Sequence, residues 1–300
     1  MIEVDAEVGE ALRAGTPVVA LETTLVAHGF PYPEGAVVAV ESERRVRAAG
    51  AVPATIGVVD GVIRVGLTDS ELDRFAAAGT QARKVGPRDL APCLVQGALG
   101  ATTVGSTLAV CGLAGIRFMG TGGLGGVHRG FPFPLDVSAD VGELTRADVL
   151  IVASGVKSIL DVPATAELLE TLGVPVLGWR TDELPRFYVA LGGPPVAARV
   201  ETTVEAAWIA HAHWVQLRRS GAILLARPPT ESIEDIEPLI EEAVGAAVTN
   251  GVSGQAVTPF VLAHLHEHSG GRTARVNKDL IVDNAGLAAE VAVAYAQAGP

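Results

Sequence analysis

Residues 147–173 constrain the fold of this chain more than any other segment. Residues 149–153 form a continuous apolar run without alternation, which is typical of a strand buried on both faces of a parallel sheet. Residues 163–172 predict an amphipathic helix, with Pro163 in its first turn and Gly173 directly after its end. A buried parallel strand followed by a helix indicates an α/β protein.

Lys157 lies in the loop that joins this strand to this helix. In open α/β sheets, ligands bind at the edge where the strands end. The apolar neighbours Val156, Ile159 and Leu160 would partly desolvate the amine, disfavour its charged form and leave it available for nucleophilic attack. Taken alone, however, the pattern fits a solvated loop lysine paired with Asp161 better.

Strands and helices alternate along the chain, and no linker divides it. Asp60-Gly61 predicts a type I′ turn in a hairpin over residues 55–67. Thr68 and Glu71 form a capping box that starts a helix, and Gly79 ends it. The other predicted strands are 16–22, 116–119, 174–179 and 222–226, and the other predicted helices are 34–49, 204–218, 236–249, 259–268 and 284–297. We predict one domain over residues 1–300, with a three-layer α/β/α fold around a large mixed β-sheet.

Composition narrows the class of partner and the compartment. The net charge of −12 and the lack of a Lys/Arg cluster argue against nucleic acid or an anionic membrane as the main partner. Residues 90–116 are uncharged, but Pro92 and several glycines favour a buried helix–turn–helix segment over a membrane span. The N-terminus lacks the features of a signal peptide, and Cys93 and Cys111 lack metal-ligand spacing, so we expect a cytoplasmic protein with reduced cysteines.

Gly120, Gly122 and Gly125 match the spacing of the dinucleotide-binding fingerprint. That motif needs a helix that begins inside it, so that the pyrophosphate meets the helix N-terminus. The glycines run instead into residues 131–134, a Phe-Pro-Phe-Pro sequence that cannot be helical. This disfavours an oxidoreductase and favours a glycine-rich turn whose amides face a ligand.

Two acidic stretches carry open alternatives. Asp136 and Asp140, with Ser138 between them, suit a hard oxygen site for Mg²⁺ or Mn²⁺. On pattern alone they fit better a helix start in which Asp136 or Ser138 is the N-cap and Asp140 lies in the first turn, and the two interpretations do not exclude each other. Glu22 is the last residue of the first buried strand and is followed by polar residues. Two roles fit this position: a general acid, or a hydrogen-bonded strand end without a catalytic role.

The histidines near the C-terminus have the wrong spacing for a metalloprotease helix. His264 and His268 share a helix face, His266 points away, and Glu267 is misplaced for a catalytic base. We interpret this cluster as the solvated end of a helix. The histidines at 211 and 213 are interpreted in the same way.

Motifs along essentially the whole chain resemble those of one family. They are VALETT (19–24), AHG (27–29), PYP (31–33), GAVPATIG (50–57), KVGPRDL (84–90), GATTVGST (100–107), TGGLGGVHRG (121–130), DVSADVGEL (136–144), SGVKSILD (154–161), TLGVPVLGW (171–179) and TPF (258–260). Together they are similar to the pseudouridine-5′-phosphate glycosidases, also called the indigoidine-synthase-A-like family.

The resemblance implies reversible cleavage of a C–C glycosidic bond to give uracil and ribose 5-phosphate. In a C-glycoside the leaving group is attached through carbon. Bond cleavage therefore cannot be assisted by protonating a leaving oxygen or nitrogen atom. A lysine that adds to the anomeric carbon can instead form a Schiff base as the C–C bond breaks. By the matching motifs, Lys157 is this nucleophile and Glu22 is the proton donor.

The resemblance also implies the remaining parts of the site. Asp136 is expected to hold Mn²⁺ largely through waters, and the assembly is expected to be a homotrimer. The substrate is expected to contact Lys84, Val104, Ser138, Ala139 and Asp140, with His128 and Asn277 as further site residues.

The chain departs from the family pattern at positions that are expected to frame the aglycone. Residues 131–135 replace a polar, histidine-bearing segment, Gln255 stands at a position that is commonly lysine, and Asp283 at one that is commonly asparagine. These changes favour a bulkier aromatic aglycone over uracil, as in relatives that join ribose 5-phosphate to a flat natural-product intermediate. A sugar kinase is disfavoured, because no glycine-rich anion hole with a catalytic aspartate is found.

Overall fold

The computed structural model describes residues 1–129, 135–252 and 254–298, with Gln255 described by its backbone alone. The expectations for residues 131–134 and for the side chain of Gln255 therefore lie outside the described residues. The strands are β1 (Ile2–Val4), β2 (Val18–Glu22), β3 (Val52–Val59), β4 (Val62–Val65), β5 (Arg83–Val85), β6 (Gly100–Thr102), β7 (Phe118–Gly120), β8 (Leu150–Ala153), β9 (Val176–Trp179), β10 (Ala198–Val200) and β11 (Ile223–Ala226).

The helices pack around these strands, and none in the described ranges is long and apolar enough to cross a membrane. They are α1 (Ala6–Ala14), α2 (Thr24–His28), α3 (Glu34–Ala48), α4 (Asp69–Ala78), α5 (Leu90–Val95), α6 (Val104–Ala114), α7 (Ala139–Leu144), α8 (Val162–Thr171), α9 (Thr203–His211), α10 (Glu237–Thr249), α11 (Val257–His268) and α12 (Arg272–Gln297).

One mixed sheet joins the eleven strands of the described residues. Its main path runs β1-β4-β3-β2-β7-β8-β11-β9-β10, with β6 pairing with β3 and β5. The pairs β3–β4 and β3–β6 are antiparallel, whereas β2, β7, β8 and β11 are neighbours in parallel. Their carboxyl ends therefore open on one edge of the sheet, where an α/β protein binds its ligand.

The central strand β8 is buried on both faces, as its unbroken apolar run predicts. Leu150 and Val152 belong to a core that includes residues of α9 and α12. Ile151 and Ala153 point the other way, into a core that includes residues of α6, α7 and α8. Helices thus cover both faces of the sheet, and the predicted α/β/α layering is confirmed.

Local signals placed several elements correctly. Asp60 and Gly61 have φ angles of 51° and 79°, as a type I′ turn between β3 and β4 requires. Thr68 and Glu71 form the predicted capping box of α4, and Gly79 follows its last residue. Turn and cap chemistry is local, and so it can be read from a few neighbouring residues.

Three predicted boundaries were wrong. The last helix begins at Arg272, well before Asn284, because its first half presents the buried stripe of Val276 and Leu280 among many charged residues. The segment 90–116 contains the strand β6 between α5 and α6, and three residues of Gly, Ala and Thr give no strand signal. The helix predicted over 204–218 leaves α-geometry after His211 and continues as a π-helical turn.

Candidate active site

Glu22 is a buried acid at the carboxyl end of β2, with only 5% of its surface exposed. Its Oε1 accepts a hydrogen bond of 2.5 Å from Oγ1 of Thr121, which directly follows the neighbouring strand β7. The sequence left Glu22 either as a general acid or as a hydrogen-bonded strand end, and the hydrogen bond from Thr121 is compatible with both roles. The structure provides that bond and fixes the carboxyl group at the edge where the strands end.

Asn284 holds this edge together from the middle of α12. Its fully buried side-chain amide donates to the carbonyl oxygen of Thr121 at 2.8 Å and to Oγ of Ser154 at 3.1 Å. Ser154 follows β8, so one amide joins the ends of two adjacent strands to the helix that covers them. Asn284, Thr121 and Ser154 were not predicted as organising residues. The usable signal for Asn284 is a polar residue on the same helix face as the apolar residues Leu280 and Leu287.

The loop that carries Lys157 is held by a glycine. Gly155 has a φ of 70°, and a Cβ on it would lie 1.9 Å from the carbonyl oxygen of Pro185. The Lys157 amide then donates to the carbonyl of Leu124 at 3.1 Å, which joins the loop to the glycine-rich turn. Asp161 caps α8 by accepting a hydrogen bond from Ala164 at 3.0 Å, so its carboxylate serves the helix. Lys157 is half-buried and lines the centre of the site. The contacts of the described residues include no ion pair between Lys157 and Asp161.

Charges at the centre of the site influence one another. Burial raises the pKa of Glu22, and the positive charge of Lys157 and the hydrogen bond from Thr121 oppose this increase. Burial and the charge of Lys157 lower the pKa of Lys84 to about 8, although Asp140 and Glu22 oppose the decrease. The site therefore combines an acid that keeps its proton to a higher pH than an exposed glutamate with an amine whose pKa is about 8.

Two helices begin at the site, and Asp140 ties them together. Ser138 is the N-cap of α7, and its Oγ accepts from the Asp140 amide at 3.2 Å. The Asp140 carboxylate accepts hydrogen bonds from the Gly105 amide at 2.7 Å and from the Gly125 amide at 3.1 Å. A Cβ on Gly125 would lie 2.3 Å from Oγ of Ser138, so this approach requires glycine. The helix start predicted for residues 136–140 is therefore present, with Ser138 as its N-cap.

The predicted site residues gather around one space, which we call the polar cavity. Its volume is about 360 Å³, and Arg88 and the capping residue Thr103 of α6 also line it. Of the predicted site residues, all but Asn277 line the polar cavity: Glu22, Lys84, Val104, His128, Asp136, Ser138, Ala139, Asp140 and Lys157. Residues from distant parts of the sequence thus meet at one edge of the sheet.

A second space, which we call the apolar cavity, adjoins the first. It is smaller, about 50 Å³, and it shares Glu22, Lys84 and Lys157 with the polar cavity. Asn277 lines it, together with Leu25, His28, Phe187, Pro259, Leu262 and Ile281. The acid and the two lysines therefore lie where a polar and an apolar space meet.

Phe187 is a wall of the apolar cavity that the sequence analysis missed. It has a φ of 61°, which is uncommon for a bulky residue, and its amide donates to the Ser154 carbonyl at 3.0 Å. A Cβ on Gly123 would lie 2.6 Å from the Phe187 ring, so the ring packs directly on the glycine-rich turn. That turn therefore serves close packing, and no helix begins within its described residues 120–129.

Asp136 is the predicted metal ligand, and its surroundings fit a weakly held hard ion. Its carboxylate is 32% exposed and lies 3.7 Å from Nδ1 of His128. Burial lowers the pKa of His128, and the charge of Asp136 opposes this effect. Among the described residues, the one group of three candidate metal ligands lies elsewhere, on α10 and α11. An ion at Asp136 would therefore take most of its ligands from water and substrate, as Mn²⁺ or Mg²⁺ can.

Comparison with known sequences places the chain in a family. The family model described as "Indigoidine synthase A like protein" matches residues 7–294. The chain belongs to this family. It is 46% identical to the pseudouridine-5′-phosphate glycosidase of Herpetosiphon aurantiacus over 294 residues, 97% of each chain. It is also 46% identical to that of Chloroflexus aurantiacus over 305 aligned positions, 100% of each chain.

Solved structures extend the family likeness to three dimensions. The prealnumycin C-glycosynthase AlnA, in complex with ribulose 5-phosphate, superposes with a TM-score of 0.90 at 39% identity, over 100% of this chain and 98% of AlnA. An indigoidine synthase A (IdgA)-like protein from Thermotoga maritima superposes with a TM-score of 0.87 at 36% identity, over 98% and 96% of the two chains. The family's sheet and helices are thus present along the whole chain.

Proposed function

We propose that this chain cleaves and forms the C–C glycosidic bond between ribose 5-phosphate and a planar aglycone. Two relatives at 46% identity are pseudouridine-5′-phosphate glycosidases. The family resemblance implies the reaction in which pseudouridine 5′-phosphate and water give uracil and ribose 5-phosphate. The observation that carries the proposal is the meeting of the polar and apolar cavities at Glu22 and Lys157. A phosphorylated sugar and a flat ring need these two environments on either side of the bond that breaks.

The phosphate belongs in the polar cavity. Lys84 and Arg88 line it with positive charge, although the chain as a whole has a net charge of −12. The N-terminus of α6, an eleven-residue helix, opens on the same space. Because the Gly105 and Ser106 amides of this helix start already donate to Asp140 and Thr103, the two cations would hold most of the phosphate charge.

Lys157 and Glu22 then perform the bond exchange. The lone pair of the Lys157 amine forms a bond to C1′ while the C1′–O4′ bond breaks, and the proton that the nitrogen then loses passes to the ring oxygen. The C1′–C5 bond then breaks, its electron pair goes to uracil C5 with a proton from Glu22, and the nitrogen lone pair forms the imine. Water adds to the imine, and ribose 5-phosphate leaves as the amine is regenerated. The raised pKa of Glu22 favours the protonated form that this step requires.

A Mn²⁺ ion at Asp136 is part of the proposal. The exposed carboxylate lines the same cavity as Lys84, and its hard oxygen atoms suit this ion. The ion would supply positive charge near the sugar phosphate. Asp136 would hold it, while Asp140 keeps both carboxylate oxygens on the backbone amides of Gly105 and Gly125.

Synthesis of an aromatic C-glycoside is the second candidate function. Phe187, Leu262 and Ile281 give the apolar cavity a wall against which a flat aromatic ring can pack. AlnA, at 39% identity, is a C-glycosynthase. Of the segment 131–135, Leu135 belongs to the described residues. Its side chain is 77% exposed and lines the polar cavity.

Steady-state kinetics with pseudouridine 5′-phosphate test the proposed function. A kcat/KM of roughly 10⁴ M⁻¹s⁻¹ or above would support the glycosidase and remove the preference for an aromatic acceptor. A much lower value, with efficient coupling of ribose 5-phosphate to an aromatic polyketide, would support the synthase. Failure of both reactions would overturn the proposal.

Two further properties complete the proposal. We infer a homotrimer. Val37 and Val40 of α3 support a subunit contact: each is almost half exposed, and together with Val282 they border a groove of about 700 Å³. Light scattering at micromolar concentration tests this assembly.

We propose that the protein lies in the cytoplasm, because Cys93 and Cys111 are buried free thiols, as expected in a reducing compartment.

A further inference from the structure

Three side chains on the surface of the C-terminal region come together outside the site described above. Glu242 lies on α10, and His264 and His268 lie on α11. One ligand atom from each residue lies within 4.8 Å of the others. The sequence analysis considered the histidines of α11 alone. The third residue comes from a neighbouring helix, and only the packing of α10 against α11 reveals it.

One of the three distances between these atoms equals the spacing of ligands in a tetrahedral metal site. Nε2 of His264 lies 3.3 Å from Oε1 of Glu242. Two ligands bonded at about 2.0 Å to a tetrahedral Zn²⁺ ion are separated by roughly 3.3 Å. The His264 and His268 rings are stacked 4.0 Å apart and 13° from parallel, so both lie on the same side of α11. Because an imidazole binds a metal ion in the plane of its ring, the His264 ring must rotate for both histidines to bind one ion.

A hydrogen bond fixes the proton of His268. Its Nδ1 lies 2.9 Å from the backbone carbonyl of His264, and a carbonyl can only accept. Nδ1 therefore carries the proton, and Nε2 carries the lone pair that a metal ion needs. Such a bond from the second ring nitrogen to a carbonyl is the usual support of a metal-bound histidine.

We propose that Glu242, His264 and His268 bind Zn²⁺, with water in the fourth position. Two imidazoles and a carboxylate are a donor set that suits a borderline transition metal better than Mg²⁺ or Mn²⁺. This site is separate from Asp136, where the donors are oxygen atoms. His266 takes no part, because its ring is largely buried and stacks on Phe30 at 5.9 Å.

Bound Zn²⁺ would join α10 to α11, and α11 also forms part of the apolar cavity. Thr258, Pro259 and Leu262 belong to α11 and line that cavity. An ion that binds only the folded arrangement stabilises it in proportion to the logarithm of the ion's concentration. Zn²⁺ would therefore raise the thermal midpoint and stiffen one wall of the cavity.

Titration of the full chain with Zn²⁺ by calorimetry, and with Co²⁺ by visible absorption, tests the site. We expect one strong Zn²⁺ site and a tetrahedral Co²⁺ spectrum. E242Q and H268A should each weaken binding by at least about tenfold and abolish the spectrum. Circular dichroism of both variants checks that they remain folded.

Two control variants separate this site from others. E241Q changes the adjacent exposed glutamate of α10 and should bind Zn²⁺ like the unaltered chain. D136N removes the carboxylate proposed for Mn²⁺ and should also leave Zn²⁺ binding unchanged. No strong binding by the unaltered chain, or equal binding by E242Q and H268A, would overturn the proposal. Neither result depends on the proposed catalytic function.

Discussion

Glu22 combines deep burial with a hydrogen bond that holds it in place. Its pKa is raised mainly by burial, so the carboxyl group stays protonated to a higher pH than an exposed glutamate would. A general acid works only while it is protonated. Activity should therefore fall as the pH rises through the raised pKa of Glu22.

We expect Glu22→Gln to lower kcat by about 10² to 10⁴-fold, because the amide keeps the shape but cannot donate the proton. A kcat–pH profile should also lose the limb that belongs to Glu22. Glu41→Gln, on the exposed surface of α3, is the matched control and should have no effect on kcat. Full activity of Glu22→Gln would remove this residue from its proposed role.

Lys84 gives a second pH dependence. Its pKa is lowered to about 8 by burial and by the charge of Lys157. Only the charged amine attracts a phosphate strongly, so kcat/KM for a phosphorylated substrate should fall as the pH rises above about 8. Lys84→Met should raise KM at neutral pH. Lys84→Arg should abolish the decrease in kcat/KM above about pH 8, because arginine stays charged. The same profile in Lys84→Arg and the unaltered chain would contradict this assignment.

At the scale of elements, α12 supports the site through Asn284. Replacing Asn284 with alanine leaves the buried Thr121 carbonyl and Ser154 hydroxyl without this donor. We expect the free energy of unfolding to fall by about 1–3 kcal/mol. Urea denaturation measures this loss.

Asn250→Ala provides the comparison, because the Asn250 side chain donates to the Ala246 carbonyl at the exposed end of α10. Its effect should stay within about 0.5 kcal/mol. Equal losses in the two variants would mean that Asn284 is an ordinary polar residue and does not organise the strand ends.

The elements that the sequence predicts well are those whose signal is local. The β3–β4 hairpin follows from Asp60-Gly61, and β8 follows from its apolar run. The strand β6 is formed by pairing with β3 and β5, which no local pattern of Gly100 and Ala101 encodes. The early start of α12 was missed because the buried positions Val276 and Leu280 stand among many charged residues.

The candidate site follows the same division. Family motifs named the residues of the polar cavity, and the structure brings them to one edge of the sheet. Phe187 and Asn284 were missed because their roles arise from contacts with Gly123 and Thr121, which are far away in the sequence. Glu242 was missed for the same reason, since its partners lie on another helix.

At the scale of the whole molecule, the proposed Mn²⁺ ion should affect activity without affecting the fold. Asp136 is partly exposed, and the two cores of the sheet form without it. We expect chelation or Asp136→Asn to lower activity while the thermal midpoint changes by less than about 2 °C. Asp279→Asn, an exposed change on α12, is the control. A large drop in the thermal midpoint on chelation would show that a metal ion supports the fold itself.

The central claim is that Lys157 forms the covalent bond to the sugar. Borohydride reduction in the presence of ribose 5-phosphate, followed by peptide mass spectrometry, tests it most directly. We expect one reduced sugar adduct on Lys157, its loss in Lys157→Ala and its retention in Lys84→Met at saturating ribose 5-phosphate. No adduct, or an adduct on Lys84 alone, would contradict the account.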